Sequence, residues 1–301
     1  MNYIITVIVS FLVLSLLSPS PSFSGLILSI DYEDGTFGKA SKTNASNTST
    51  GYSSICCDHS AQIVSLPART GTKSVKMTLL PNDEGYLYGH YSDPATRAEF
   101  EKWDLFSLGT VQWYGFSVFI DPAWQDSTGD PNGAVMAQWH SNRESCDQVS
   151  YPSLSIRYKE STNSWLVKND SDPNVCSTST SYKRQEWIVG TAKKGVWVDW
   201  VVYAKWSYLS DGRLKIWKDG QLVVDKTGPN KFNNVASMGF LKWGVYKSWW
   251  GVKTPATSDK LIAYFDNLKI GDANSSYDEV AAPNNHSTIT IAPPTDLTVE
   301  H

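Results

Sequence analysis

The chain has 301 residues, 41% of them hydrophobic, and a formal net charge of -4, a size that suits one large β domain or two small ones. Mild acidity excludes the strong basic field of a general nucleic-acid binder. It also makes a highly sulfated polyanion a less obvious partner, although a local basic groove would still serve one.

Residues 1–24 carry no charged side chain, and the apolar run from Ile4 to Leu17 is short for a membrane span. With small residues at Ser22 and Ser24, the segment reads as a signal peptide, with the mature chain beginning near Gly25. The lack of a Lys or Arg before the apolar run leaves an uncleaved membrane anchor as the alternative. After cleavage, no later segment is apolar enough to span, so secretion without membrane attachment is expected.

From Gly25 to Gly271 the apolar residues alternate or come in short bursts between Gly, Asp, Asn and Pro, which is an all-β pattern. Leu26–Tyr32 opens it, and Glu33-Asp34-Gly35 turns the chain. Residues 39–54, rich in Ser, Thr and Asn, are expected to form an exposed loop. The best helix signal is Pro94 to Trp103, with Asp93 as a cap. Gln112–Ile120 alternates with bulky groups on both sides, as a strand inside a sandwich does.

Trp197 to Asp225 contains two Asp-Gly pairs between apolar runs and predicts a three-stranded meander. Leu261–Ile270 supplies a last strand. Residues 272–301, dominated by Asn, Ser, Pro and Thr, read as a flexible tail or linker.

Four cysteines, Cys56, Cys57, Cys146 and Cys176, in an exported chain favour disulfides. Pairing Cys56 with Cys57 would strain the backbone, so at least one longer bridge is expected, with Cys146 to Cys176 one option. Sequons begin at Asn44, Asn47, Asn169, Asn274 and Asn285 and would mark surface segments if glycosylated. Asp31, Glu33 and Asp34 near the first strand would meet Asp266 if the terminal strands pair. Asp31, Glu33 and Asp266 are therefore candidates for a structural Ca²⁺; solvated turn carboxylates are the simpler reading.

Three segments carry candidate chemistry: Arg97-Ala98-Glu99-Phe100-Glu101, Ala137-Gln138-Trp139-His140-Ser141 and Leu241-Lys242-Trp243-Gly244-Val245-Tyr246-Lys247. On alternating strands Gln138 and His140 share one face, as do Lys242, Gly244 and Tyr246. β-Elimination at a uronate needs a neutraliser for the carboxylate, a base for the C-5 proton and an acid for O-4. A Gln or Arg with a His and a Tyr supplies all three. His90 is a second candidate base, Arg143 a candidate carboxylate contact, and Trp249 and Trp250 candidate walls for sugar stacking.

These segments, with the framework around Trp197–Val224 and Tyr264-Phe265-Asp266-Asn267, resemble the heparin-lyase-like polysaccharide lyases, which include glucuronan lyases. They are also similar to alginate lyases carrying Arg-x-Glu, Gln-x-His and Lys-x-Gly-x-Tyr strands. The resemblance implies a jelly-roll, concanavalin-like β-sandwich of two antiparallel sheets over residues 25–271. It implies Gln138 and Arg97 near the carboxylate, His140 as base or neutraliser and Tyr246 as acid, with Lys242 as a further substrate contact. It implies an enzyme acting on an acidic polysaccharide; no catalytic cofactor is expected, and the secreted chain is expected to be a monomer. Two rivals remain from other classes, a lectin-like binding module and a glycoside hydrolase of the same fold. The hydrolase reading lacks a Glu-x-Asp-x-Glu strand.

Overall fold

The computed structural model describes residues 25–38, 53–55, 57–81, 83, 95–126, 132–141, 144–149, 151–234, 238–248, 250, 256 and 258–283. The leader, His90, Arg143, Trp249, Cys56, the sequons at Asn44, Asn47 and Asn285, and residues 284–301 lie outside these. In chain order the strands are β1 (Leu26–Ile30), β2 (Ser53–Ser54), β3 (Ala61–Val64), β4 (Ser74–Leu79), β5 (Ala95–Phe106), β6 (Val111–Ile120), β7 (Ala134–His140) and β8 (Leu154–Lys159). They continue as β9 (Ser164–Ser171), β10 (Lys183–Thr191), β11 (Trp197–Lys205), β12 (Arg213–Lys218), β13 (Gln221–Thr227), β14 (Gly239–Ser248) and β15 (Leu261–Gly271), followed by a short helix α1 (Tyr277–Val280).

The strands form the expected sandwich of two antiparallel sheets. One has the order β13-β12-β11-β6-β15-β4-β3, with β1 also on β15; the other runs β10-β9-β8-β7-β14-β5-β2. Inward side chains from both meet in one core. Trp139 of β7 meets Tyr114 of β6 edge-on at 5.2 Å, and Trp165 of β9 meets Trp200 of β11 at 5.4 Å. Each such buried side chain contributes roughly 1.5–3 kcal/mol through removal of apolar surface from water.

The meander forms as β11, β12 and β13, but its two Asp-Gly pairs work differently. Asp219 and Gly220 both take positive φ, 49° and 80°, and make the tight turn between β12 and β13. Gly212 does not; it is needed because a Cβ there would lie 2.3 Å from the Gly228 carbonyl oxygen.

Residues 95–106 form a strand where the sequence suggested a helix. Ala98 and Phe100 enter the core while Arg97, Glu99 and Glu101 face the other way, and pairing with β14 outweighs the local helix preference of Ala, Glu, Arg and Lys. Residues 272–283, assigned from composition to the tail, pack on the domain. Ser276 and Glu279 form a capping box on α1, and Val280 lies so close to Gly115 that a Cβ there would meet its carbonyl at 1.8 Å.

Cys146 and Cys176 form the long-range disulfide. Asn169 is fully buried on β9, donating to the Ser153 and Asn230 carbonyls, so this sequon is closed to glycosylation in the folded chain; Asn274 is exposed. Among the described residues, no helix is long and apolar enough to cross a membrane.

Candidate active site

The three segments singled out in the sequence become neighbours on the face of the second sheet turned away from the core. β14 lies between β7 and β5, with Lys242 opposite Gln138 on one side and Glu101 on the other. Gly244 pairs with Glu99, and Tyr246 with Arg97. Ala137, Trp139, Leu241, Trp243 and Val245 point into the core, so the period-two alternation delivers the polar set to one surface.

Four of these side chains form a connected group. The Arg97 guanidinium lies over the Tyr246 ring, 4.6 Å from its centroid, and its Nη1 is 3.7 Å from Glu99 Oε2. Gln138 Nε2 donates to Glu99 Oε1 at 2.7 Å. That bond crosses the width of β14, from Gln138 opposite Lys242 to Glu99 opposite Gly244. The backbone requires glycine there: φ is 142°, and a Cβ would lie 2.1 Å from the Ala98 carbonyl oxygen.

Glu99 is 0% exposed. Burial pushes its carboxyl above the usual range, opposed by the charges of Arg97 and Lys242 and by the Gln138 hydrogen bond. One row along, Lys242 Nζ pairs with Glu101 Oε1 at 2.6 Å, and both side chains are buried. Tyr246 keeps partial exposure, while Arg97, Gln138 and Lys242 lie beneath the surface. The arrangement offers a reachable phenol backed by buried cations and an oriented amide.

His140 shares this face but not this group. Its strand partner on β14 is Phe240, against which its ring stacks at 5.6 Å, and its Nδ1 donates to the Ser141 carbonyl at 2.5 Å. That bond fixes the proton on Nδ1 and leaves Nε2 as the basic nitrogen of the neutral ring. Phe240 and Tyr246 are six positions apart on β14, on the order of 20 Å of strand.

Trp250 is 0% exposed within the core cluster, so it has no face to offer a sugar, contrary to the subsite role the sequence suggested. The terminal strands β1 and β15 do pair, as the Ca²⁺ reading required. The carboxylates are nevertheless committed elsewhere. Asp266 Oδ2 accepts from the Arg69 and Thr70 amides, Glu33 Oε1 from the Thr72 and Lys73 amides, and Asp31 Oδ1 from the Glu33 amide. Asp31, Glu33 and Asp266 are not among the described groups of three close enough to share one ion, and Glu33 and Asp266 latch the 69–73 turn.

Burial raises Asp266 to about 6. Among the described residues the one group with ligand spacing is Cys57, His59 and Asp83, but Cys57 is disulfide-bonded and lacks a thiolate.

The sequence singled out the segment that holds Glu99 and Glu101 but gave neither carboxylate a role in the site. The signal was present: Arg97, Glu99 and Glu101 recur at period two, which places all three on one face of a strand.

A surface with a reachable phenol set among buried cations suits an enzyme handling a negatively charged chain. Residues 32–269 match the family model described as Polysaccharide lyase, and the chain belongs to that family. The protein is therefore a polysaccharide lyase. Its structure is similar to endo-beta-1,4-glucuronan lyase from the fungus Trichoderma reesei, with TM-score 0.60 at 20% identity, covering 76% of this chain and 92% of that one. It is also similar to alginate lyases from Aplysia kurodai (TM-score 0.48, 11% identity, 71% and 87% covered) and from Chlorella virus (TM-score 0.48, 12% identity, 70% and 88% covered). No curated protein matches the sequence.

Proposed function

We propose that the protein is a secreted lyase that cleaves a 1,4-linked polyuronate by syn β-elimination, with a glucuronate polymer as its preferred substrate. The observation that carries this reading is the stacking of Arg97 on Tyr246 within a group that also holds Glu99 and Gln138. The substrate carboxylate would lie against Arg97 and Gln138, which stabilise the charge that builds on it as the C-5 proton leaves. Tyr246, acting as its phenolate, takes that proton; the C-4 to O-4 bond breaks as the C-4 to C-5 double bond forms, and the phenol so produced returns the proton to O-4, regenerating the phenolate.

The separation of His140 from Tyr246 favours a single catalytic group. In glucuronate and mannuronate the C-5 proton and O-4 lie on the same side of the ring, so one tyrosine can serve both; in guluronate and iduronate they lie on opposite sides. Similarity to a glucuronan lyase adds to the choice of glucuronate. Secretion is supported by the apolar, uncharged leader and by the Cys146–Cys176 disulfide, which belongs to an oxidising compartment.

The test is ultraviolet detection of unsaturated uronate during incubation with glucuronan, mannuronate-rich and guluronate-rich alginate, and heparin-like chains. Product is expected from glucuronan first and from mannuronate-rich chains second. Preference for guluronate- or iduronate-rich chains would overturn the syn assignment.

A further inference from the structure

Beyond the catalytic strands, the same face continues across β8, β9 and β10 in register. One row reads Glu101, Lys242, Gln138, Ser155, Lys168 and Glu186, from β5 through β14, β7, β8 and β9 to β10. A second row reads Arg97, Tyr246, Val135, Arg157, Leu166 and Ile188 over the same six strands; it is next to the first on β8, β9 and β10 and is separated from it by the Glu99–Gly244 pair on β5 and β14. The second row holds two arginines and no carboxylate, in a protein whose net charge is -4.

Arg157 sits two strands from Tyr246 in that row, about 10 Å away at the usual spacing of strands. Its side chain is partly exposed, with Nε donating to Ser155 Oγ at 2.9 Å and Nη1 to the Asn132 carbonyl at 3.5 Å. Asn132 also fixes Lys168, whose Nζ donates to Asn132 Oδ1 at 2.8 Å and pairs with Glu186 Oε1 at 2.7 Å. Two cations on adjacent strands are therefore tied to one asparagine, with Arg157 the nearer to Tyr246.

We propose that Arg157, supported by Lys168, is a second carboxylate-binding subsite, which holds a uronate about two residues from the bond broken at Tyr246. The inference rests on the lyase reading above and deepens it. An extended 1,4-linked chain laid across the strands advances about one pyranose per strand, since both repeats are roughly 5 Å. A planar guanidinium matches a carboxylate with two N–H donors, which a neutral sugar would not exploit. The consequence is a preference for chains long enough to reach from Tyr246 to β8, and hence for cuts within a polymer.

The test compares wild type with Arg157→Gln and Arg157→Lys on glucuronan and on its size-fractionated oligomers, with Arg213→Gln on the opposite sheet as a control. Arg157→Gln is expected to raise KM for the polymer about tenfold, equivalent to about 1.4 kcal/mol, with kcat within about twofold. The smallest oligomers cleaved should show no change in KM, and Arg157→Lys should recover part of the loss. An unchanged polymer KM, or an equal effect at every length, would overturn the subsite. If wild type forms no unsaturated product from any polyuronate, the lyase substrate reading falls instead. Calorimetric titration with glucuronan then decides the subsite alone: weaker binding by Arg157→Gln supports it, and equal binding removes it.

Discussion

Gln138 and Glu99 are joined at 2.7 Å although a whole strand runs between theirs, and Glu99 stands opposite Gly244 of that strand, where the backbone requires glycine. Gly244→Ala would force a Cβ into the Ala98 carbonyl and a φ that L-residues rarely take. We expect a loss of at least about 2 kcal/mol in unfolding free energy and a collapse of activity, measured by urea denaturation and by unsaturated-product formation. Native-like stability in this variant would contradict the backbone geometry.

Gln138→Ala separates the amide's two duties. Leaving buried Glu99 Oε1 unpaired should cost about 1–3 kcal/mol of stability, while turnover falls about 100-fold with little change in KM, as for loss of a donor that acts on developing charge. A rise in KM at constant kcat would instead make Gln138 a ground-state contact.

Tyr246→Phe is expected to lower kcat by at least about 1000-fold on glucuronan, because the phenol supplies both proton transfers. His140→Ala should leave activity within about tenfold, since its ring belongs to the Phe240 end of the strand. Full activity of the tyrosine variant would refute the assignment. Loss of activity in the histidine variant equal to that of Tyr246→Phe would place His140 in the chemistry.

Lys231 is buried, with its Nζ donating to the Phe232 carbonyl, and burial lowers its pKa from 10.5 to about 8. Between those two values the unfolded chain binds the proton and the folded chain does not, so this lysine makes stability rise with pH across that window, by up to about 3 kcal/mol. Relative to wild type, Lys231→Met should be more stable at pH 7 and should lose that advantage by pH 10. Urea unfolding at pH 7, 8, 9 and 10 would check this, and a constant difference at every pH would count against it.

Replacing both Cys146 and Cys176 by Ala opens a loop spanning 30 positions. The expected cost is about 2–4 kcal/mol, seen as a lower melting temperature, with kcat on glucuronan within a few-fold because neither cysteine lies on the strands of the Tyr246 group. Equal melting of the two proteins would show that the bridge does not stabilise the domain.

The all-β class, the meander, the last strand and the shared face of Gln138 and His140 followed from period-two alternation, since a strand's side-chain direction is a local property of the backbone. Residues 95–106 were misread for the complementary reason: Ala, Glu, Arg and Lys favour a helix locally, and pairing with β14 is a long-range gain that the segment does not record. The fate of Trp250 was equally hidden, because an aromatic residue near a site can wall it or fill the core.

Outside residues 95–106, the strands that carry or frame the site, and the faces their side chains take, were legible in the sequence, along with the residue types able to perform an elimination. Register was decided by the tertiary structure. Alternation says which residues share a face, but only cross-strand pairing says which stand side by side. That pairing set Arg97 over Tyr246, carried Gln138 across β14 to Glu99, and left His140 with Phe240 instead. Contacts between residues far apart in the sequence depend on which strands pair and at what offset, a choice made by the packing of the whole sandwich.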